Sequence, residues 1–569
     1  MANIQIKHFL TGCATDVKET TLDPSENNFL LIANGIDQCS SLGKIKKDLG
    51  YTILGSQLQD NKSITGLYNF RQSSTLKKIL ATVDDATSDD TQLFYNTNVT
   101  TQVSESSASG QKVLKVSTTE NFLVGDNVII GKGTATVETK VIDTIQAGIS
   151  LTMTVNLTNT HAAGVSVEQE WTEITGAETA WANEATEDVE MEGFLGYCFF
   201  VGYSANDGFL PVASLTGTTF STTTNVTSMP QGKYIKRYGS RLYVGNTYYS
   251  GTAYPYRVYF SSIPSAGAIT WTAATDYFDV DFGEEITGLG ENAGYLIIFT
   301  EFSTYFYNST PSLRKVFDIG CTNHESIQNL GKSIVWADKD NIWMSYQGSD
   351  PEGIGTAIKQ LLQNSDYTKH TSTVIDNEYH LYLGNTQANG LVYANCEVIY
   401  SPTTKLWRWR CYADNMTKFT RFTKDGQDYL VMGTTDGEVM KKSKYTDSII
   451  YYADNGEPIK AEFRTKAMDF GSPDIDKTLT KMMAFSRYGQ GITARVRVFN
   501  KNNESDMPFQ ELGNISQFET LFNGKKNNNN QDIKVAGKFI QFEFVEYSKN
   551  QAFEFLEFVV SIDGLSTND

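Results

Sequence analysis

The sequence predicts an all-β chain: a β-propeller with a small β-domain inserted in an early blade and a C-terminal β-sandwich. Three observations predict it. Apolar and aromatic runs of a few residues are bounded throughout by Gly, Asn, Asp and Ser, the signature of strand–turn–strand units. Helical periodicity is nearly absent; residues 355–364, with Ile358, Leu361 and Leu362 at helical spacing, make at most a short connector. The third observation is an internal repeat. Segments 234–245 (YIKRYGSRLYVG), 286–300 (ITGLGENAGYLIIFT), 327–337 (IQNLGKSIVWA), 373–384 (TVIDNEYHLYLG) and 419–433 (FTRFTKDGQDYLVMG) each read as an apolar strand, a polar turn and a stronger apolar strand. A further turn and strand follow each one.

From Ile235 through Ile286, Ile327 and Thr373 to Phe419 the steps are 51, 41, 46 and 46 residues. A period near 40–50 with three or four strands per unit is that of a propeller blade. One small twisted sheet cannot cover both its faces, so such units stack radially around an axis. Two weaker units precede the five, at 64–83 and 191–203, which makes about seven candidates.

Two segments do not follow the repeat. Between Thr100 and Gln169 the composition shifts to Thr, Val, Ser and Gly, and aromatic residues almost vanish. This stretch reads as short strands with turns at Gly125, Gly131, Gly133 and Gly148, a β-domain inserted in a blade loop, where insertions cost little. Trp171 and Ile174 are placed to resume the interrupted blade's outer strand. After Asn455 the strands alternate apolar and polar residues, as in ARVRVF and FEFLEFVV, which fits a sandwich with one buried face. Between them lies NGKKNNNNQ at 523–531, a polar low-complexity loop. The chain thus divides into an N-terminal arm with the first strands (1–63), the propeller (64–99 and 170–454), the insert (100–169) and the sandwich (455–569).

At 569 residues the chain is long enough for several cores. Only 20% of it is charged, and it holds 32 Phe, 30 Tyr and 11 Pro, which excludes a disordered acidic tail, a collagen and a coiled coil. No apolar run approaches the roughly 18 residues of a membrane helix, and the first residues lack the cationic and apolar regions of a signal peptide. The net charge is −19. Gripping nucleic acid needs clustered Lys and Arg to neutralise phosphates, and only short basic pieces occur, at 44–47 and 441–444. Cys13, Cys39, Cys198, Cys321, Cys396 and Cys411 are widely spaced with no CxxC pair, so they read as reduced core thiols made in a cytoplasm. Five histidines, none at zincin spacing or beside a cysteine pair, argue against zinc.

No catalytic motif has its required context. There is no P-loop, no nucleophile elbow and no S-x-D-x-G-x-x-W turn. The densest acidic turn, DVDFGEE with Asp279, Asp281, Glu284 and Glu285, reads as a solvated inter-blade loop. Its alternatives are a calcium loop and a pair of glycosidase carboxylates. In KLWRWR, Trp407 and Trp409 read as one face of a strand packing between blades; the alternative is an aromatic–basic binding surface. His161 reads as a turn or packing residue. No cofactor or metal is implied, and Lys525, Lys526, Asn527, Asn528, Asn529 and Asn530 are the candidate interface or lumen loop.

Several stretches resemble the tail tubular, nozzle-type proteins of short-tailed bacteriophages. They are Gly12 followed by Asp16, LDPSENNFLLIANGIDQCSSLGKIKKDLGYTILG at 22–55, ITGLYNF at 64–70, and GKYIKRYGSRLYVGN at 232–246. The closing KAMDFGSPDIDKTLTKMMAFSRYG at 466–489 is similar to that family's C-terminal sandwich. VGDNVIIGKGT at 124–134, ISLTM and THAAG look like small β-modules of phage structural proteins.

The resemblance implies a non-enzymatic virion component, assembled in the host cytoplasm. It would form a homo-oligomeric ring around the DNA channel, contact adaptor and fibre proteins, and pass double-stranded DNA without binding it specifically. An acidic wall suits that role, because a basic lumen would hold the passing phosphates. Two readings from other classes stand beside it. One is a receptor- or glycan-binding propeller, in which Tyr248, Tyr249, Tyr254 and Tyr256 would line a pocket. The other is a carbohydrate-active propeller, in which carboxylates would converge on the axis.

Overall fold

The computed structural model describes residues 2–7, 30–37, 44–73, 76–85, 90–184, 187–280, 283–308, 313–447, 450–470, 474–488, 491–499, 508–516, 518–523, 535–548 and 551–565. The fold is all-β, as the sequence predicts. Its longest described helix is the five-residue Lys359–Gln363, inside the connector at 355–364. No described helix is long and apolar enough to cross a membrane.

Seven four-stranded units are present among the described residues. Blade 1 comprises Ile64–Arg71, Lys77–Asp84, Thr91–Asn96 and Thr172–Glu173. Blade 2 is built on Asp188–Phe194, Tyr197–Ser204, Ala213–Thr216 and Thr219–Ser221. Blade 3 is Gln231–Tyr238, Arg241–Tyr249, Thr252–Phe260 and Tyr277–Asp279. Blade 4 is Ile286–Asn292, Tyr295–Thr300, Thr304–Tyr307 and Arg314–Phe317. Blade 5 is Gln328–Leu330, Ser333–Ala337, Ile342–Tyr346 and Glu352–Gly353. Blade 6 is Thr371–Ile375, Glu378–Ala388, Leu391–Ser401 and Leu406–Cys411. Blade 7 has Met416–Lys424, Gln427–Thr434 and Val439–Lys442, and borrows its fourth strand, Tyr51–Ile53, from the N-terminal region. The ring closes because the innermost strand of blade 1 packs against those of both blade 2 and blade 7. Each sequence repeat coincides with the first two strands of one blade, because the tight turn between them is the most local feature a blade has.

Between the third and fourth strands of blade 1, a six-stranded antiparallel sheet runs from Thr100–Gln102 to Ser166–Gln169. It has its own core of Val103, Leu114, Val128, Ile130, Ile142, Leu151, Met153 and Val167. Thr172 then pairs with Tyr95, so the interrupted blade resumes beside Trp171.

The sandwich is fused edge-on to blade 6. Asn34 of Leu30–Asn34 pairs in parallel with Trp409, and the same strand pairs antiparallel with Ala461–Thr465. That sheet continues through Phe539–Glu546 and Ile492–Phe499 to Gln510–Ile515. The facing, seven-stranded sheet runs Ile36–Asp37, Ile45–Lys47, Glu554–Leu565, Asp476–Tyr488, Phe518–Asn523, with Ala2–Lys7 added on Glu554–Leu565 and Ala536–Gly537 on Asp476–Tyr488. Phenylalanines fill the space between the two, with Phe542 and Phe558 ring centres 5.2 Å apart and Phe463 and Phe555 5.1 Å apart. The region read from sequence as an N-terminal arm therefore supplies strands to both the sandwich and the last blade. The apolar alternation at its strands is too brief to reveal partners about 400 residues or more away.

Residues 47–56 lock these units together. The buried Lys47 ammonium donates to Glu546 of the sandwich at 2.6 Å. Asp48 accepts from Lys442 at 2.9 Å and from Arg410 at 3.1 Å. Burial pushes the Asp48 carboxyl up, but the Lys442 and Arg410 cations hold it well below the carboxylate range. Arg410 is fully buried; it also donates to Asp454 and to the Leu49 carbonyl, and lies over the Tyr412 ring. Gly50 passes so close to the Ala453 backbone that a Cβ would sit 1.9 Å from its carbonyl oxygen, so only glycine fits. The Leu54 and Gly55 carbonyls accept from Trp171 at 2.7 Å and from Lys132 of the insert at 2.9 Å.

Arg410→Met would leave the buried Asp454 without its cation and Asp48 with Lys442 alone. It is expected to lower the unfolding free energy by about 3–5 kcal/mol. Adding Asp454→Asn, which removes the carboxylate left unpaired, should recover part of that loss. Denaturant titration followed by tryptophan fluorescence measures both.

Candidate functional site at the propeller axis

All seven blades line one polar cavity of about 410 Å³ on the axis. Its chemistry starts from the innermost strand of blade 2, DVEMEGF. Alternate residues of a strand point to opposite faces. Val189 and Met191 are buried in the blade's core, while Glu190 and Glu192 line the cavity and Asp188, on the same alternation, meets Lys418. Sequence reasoning missed this acidic triplet, although its i, i+2, i+4 spacing on an otherwise apolar strand is a legible signal.

The other blades supply the counter-charges. Lys418 of blade 7 reaches across to Asp188 and, at 2.6 Å, to Glu325 in the turn before blade 5. Its neighbour His324 places Nε2 3.4 Å from Glu190, while Nδ1 accepts the Leu289 N–H at 3.2 Å. That acceptance fixes the imidazole with its proton on Nε2, facing the carboxylate. Lys236 of blade 3 lies 3.5 Å from Glu192. Burial would depress the Lys418 ammonium, but Asp188 and Glu325 hold it well above its ordinary range. Burial pushes the Asp188 carboxyl up, only partly offset by Lys418.

Among the described residues, Asp188, Glu190 and Glu325 are the one group of three carboxylates whose oxygens lie within 4.8 Å of one another. Such a group could hold a cation. The Lys418 ammonium already lies against two of its members and supplies the positive charge there. As built, the cluster is a salt-bridge clasp between blades 2, 5 and 7.

The residues singled out from sequence lie elsewhere. Lys525, Lys526, Asn527, Asn528, Asn529 and Asn530 fall outside the described residues, as does Asp281. The strands flanking that loop, Phe518–Asn523 and Ala536–Gly537, both pair with Asp476–Tyr488 along one side of it. Asp279 forms a two-pronged ion pair with Arg257, at 2.6 and 2.9 Å. Ser303 donates to Glu284 at 2.9 Å, and Asn246 donates to Glu285 at 2.7 Å.

Trp407 and Trp409 are buried in blade 6. The arginines between and beyond them are buried as well, Arg408 paired to Glu378 and Arg410 to Asp48 and Asp454. His161 is buried against Glu138 at 2.6 Å. Cys198, Cys321, Cys396 and Cys411 are free thiols. Tyr248 stacks on Phe209, and Arg257 lies over Tyr254.

A second cavity, of about 530 Å³, lies at the seam of blades 6 and 7. Its lining includes Thr403, Thr404, Ser443, Thr446 and Tyr445. None of Tyr248, Tyr249, Tyr254 and Tyr256 lines either cavity.

No protein-family model matches the chain, and no curated protein matches it. Solved structures similar to it include PorZ, a bacterial surface component of the type-IX secretion system of Porphyromonas gingivalis, at 8% identity and a TM-score of 0.29 over 68% of this chain. The endosialidase of phage phi92 matches at 10% identity and 0.22 over 68%. The WD40 domain of Neurospora crassa Pan2 matches at 7% identity and 0.32 over 71% of this chain and 97% of that one. The chain spans 44% of the length of PorZ and 59% of that of the endosialidase.

Lys418→Met leaves Glu325 and the half-exposed Asp188 without their shared cation and is expected to cost about 1–3 kcal/mol at neutral pH, less than for a fully buried pair because solvent reaches Asp188. The carboxyl of Asp188 is raised in the folded protein, so folding favours its protonated form, and that contribution is lost as pH rises through the folded value. Without Lys418 the preference grows. The gap between variant and parent should therefore narrow as pH falls toward the carboxylate range, read from denaturation midpoints across pH.

Proposed function

We propose that the chain is a structural subunit of a bacteriophage tail, one copy in a homo-oligomeric ring around the DNA channel and a passive conduit during genome ejection. The observation that carries this reading is the filled axis. The propeller's own centre is a 410 Å³ cavity whose lining includes the Lys236–Glu192 and His324–Glu190 pairs. It has no room for a duplex whose major groove alone is about 12 Å across. Any channel this chain lines must run between copies, and a ring provides one. Two further features support the reading. The locking of propeller, insert and sandwich by residues 47–56 makes one stiff wall element. The net charge of −19 disfavours holding passing phosphates.

In this proposal the subunit sits in the virion tail, is assembled in the host cytoplasm and meets adaptor and fibre proteins. It is not an enzyme: the axial carboxylates serve as a clasp, and Asp279 serves Arg257. The seam cavity, with hydroxyls around a half-exposed tyrosine, favours a second reading, a virion-surface propeller that binds a receptor or glycan.

Electron microscopy and mass measurement of the purified chain, alone and co-expressed with its neighbouring tail proteins, decide between them. Closed rings with an opening wide enough for a duplex are expected. A monomer under every condition, binding bacterial surface glycan through the seam cavity, would overturn the conduit and favour the second reading.

A further inference from the structure

The edges of this molecule are unequal. A sheet edge offers unpaired backbone groups, and proteins blunt it with short strands, charge or bulges. Most edges here are blunted. The outer strands of blades 1, 2, 3 and 5 have only two or three residues. That of blade 4, Arg314–Phe317, begins with two bases. Gln510–Ile515, at the end of one sandwich sheet, pairs across a register shift at Ala494 and Arg495.

Phe518–Asn523 (FETLFN) is different. It has six residues in unbroken register with Asp476–Tyr488, no basic residue, and two exposed apolar side chains, Phe518 at 70% and Leu521 at 57%. Among the described residues no strand pairs with its other side. On the far flank of the same sheet, beside the short strands Ile45–Lys47 and Ile36–Asp37, lies Ala2–Lys7 (ANIQIK), also six residues, which among the described residues pairs only with Glu554–Leu565.

We propose that these two edges join neighbouring copies: Ala2–Lys7 of one copy adds antiparallel to Phe518–Asn523 of the next, so that one sheet runs on from subunit to subunit. The proposal rests on the ring reading above and deepens it. Three observations point to a second copy as the occupant.

The first is direction. The order Ala2–Lys7, Glu554–Leu565, Asp476–Tyr488, Phe518–Asn523 is antiparallel at every step, so the two end strands run opposite ways. Copies set side by side continue the alternation. The edges are different surfaces of one chain, as a head-to-tail ring requires.

The second is the faces. Positions 4 and 6 are in register with Val560 and Phe558, which are buried in the sandwich core. Thr520 and Phe522 are in register with the buried Ala484 and Met482 on that same core face. A one-residue slip would turn one strand over, so only every second register is allowed.

The third is charge. One allowed register sets Ile4 opposite Phe522, Ile6 opposite Thr520 and Gln5 opposite Leu521. The same register puts Lys7, the one ionic residue of the first strand, opposite Glu519, the one ionic residue of the second.

Directly opposed strand residues have Cα atoms about 4.5–5.5 Å apart, within reach of a disulfide. The test is full-length chain carrying Gln5→Cys and Leu521→Cys, oxidised after assembly and compared with each single variant and the parent, which controls for native thiols. The expected result is a ladder of covalent multimers up to the ring size seen by microscopy, formed by the double variant alone. In addition, Glu519→Lys should reduce ring formation at least several-fold, and adding Lys7→Glu should restore it.

Rings that form in the parent and in the double variant but give no ladder would overturn the edge pairing and leave the ring reading standing. A parent that never forms rings overturns both. A covalent dimer from Leu521→Cys alone would instead mean that two copies of the same edge pair, and would also overturn the proposal.

Discussion

The closure of the ring by residues 47–56 is the constraint on which the rest of this molecule depends. A propeller made of consecutive hairpins has a weak point where the last blade meets the first. Here the chain fills that point with a strand drawn from before blade 1. The segment carrying that strand also holds the sandwich through Lys47, the insert through the Gly55 carbonyl and Trp171 of blade 1 through the Leu54 carbonyl. At its centre lies a fully buried guanidinium between two carboxylates. Buried ion pairs seldom add net stability over an apolar core, but they tolerate no other partner. At a junction of three units that intolerance is useful, because a mispaired closing segment would take Asp48 away from both Arg410 and Lys442.

A second set of charges, half-buried around the buried Lys418, repeats this logic at the axis. The inner strands of a propeller converge, and the space between them narrows to a cavity lined by every blade. Apolar side chains alone would pack there in many registers. The carboxylates of blade 2 and the turn before blade 5 meet the Lys418 ammonium of blade 7, and this fixes how the two halves of the ring sit. The same strand serves two purposes through its period of two, with Val189 and Met191 facing the blade core and acids facing the axis.

The sandwich extends the ring in another way. By pairing Asn34 with Trp409 it prolongs blade 6 into a nine-stranded sheet, and its phenylalanine core merges with that of the neighbouring blades. The sandwich and the adjoining blades 5 and 6 therefore share one hydrophobic cluster. Such a body has few ways to bend, which suits a wall element better than a hinged or gated one.

Much of the fold was legible in the sequence, because its signals are local. Hairpin turns, apolar alternation and a repeat near 46 residues each arise within about fifty positions, and they pointed to blades, insert and sandwich. Trp407 and Trp409 were legible as packing residues for the same reason. The candidate site was not read out. The acids of DVEME could have been noticed, but nothing near them in the chain announces Lys418, more than two hundred residues away. The loop from Lys525 to Asn530 was chosen for its polarity, and it lies outside the described residues. Composition and period determined that this chain is a stack of small twisted sheets. Only the tertiary structure decided which strand closes the ring and which charges are buried. Those outcomes depend on pairings between residues hundreds of positions apart, such as Asp48 with Arg410, and local sequence carries no record of them.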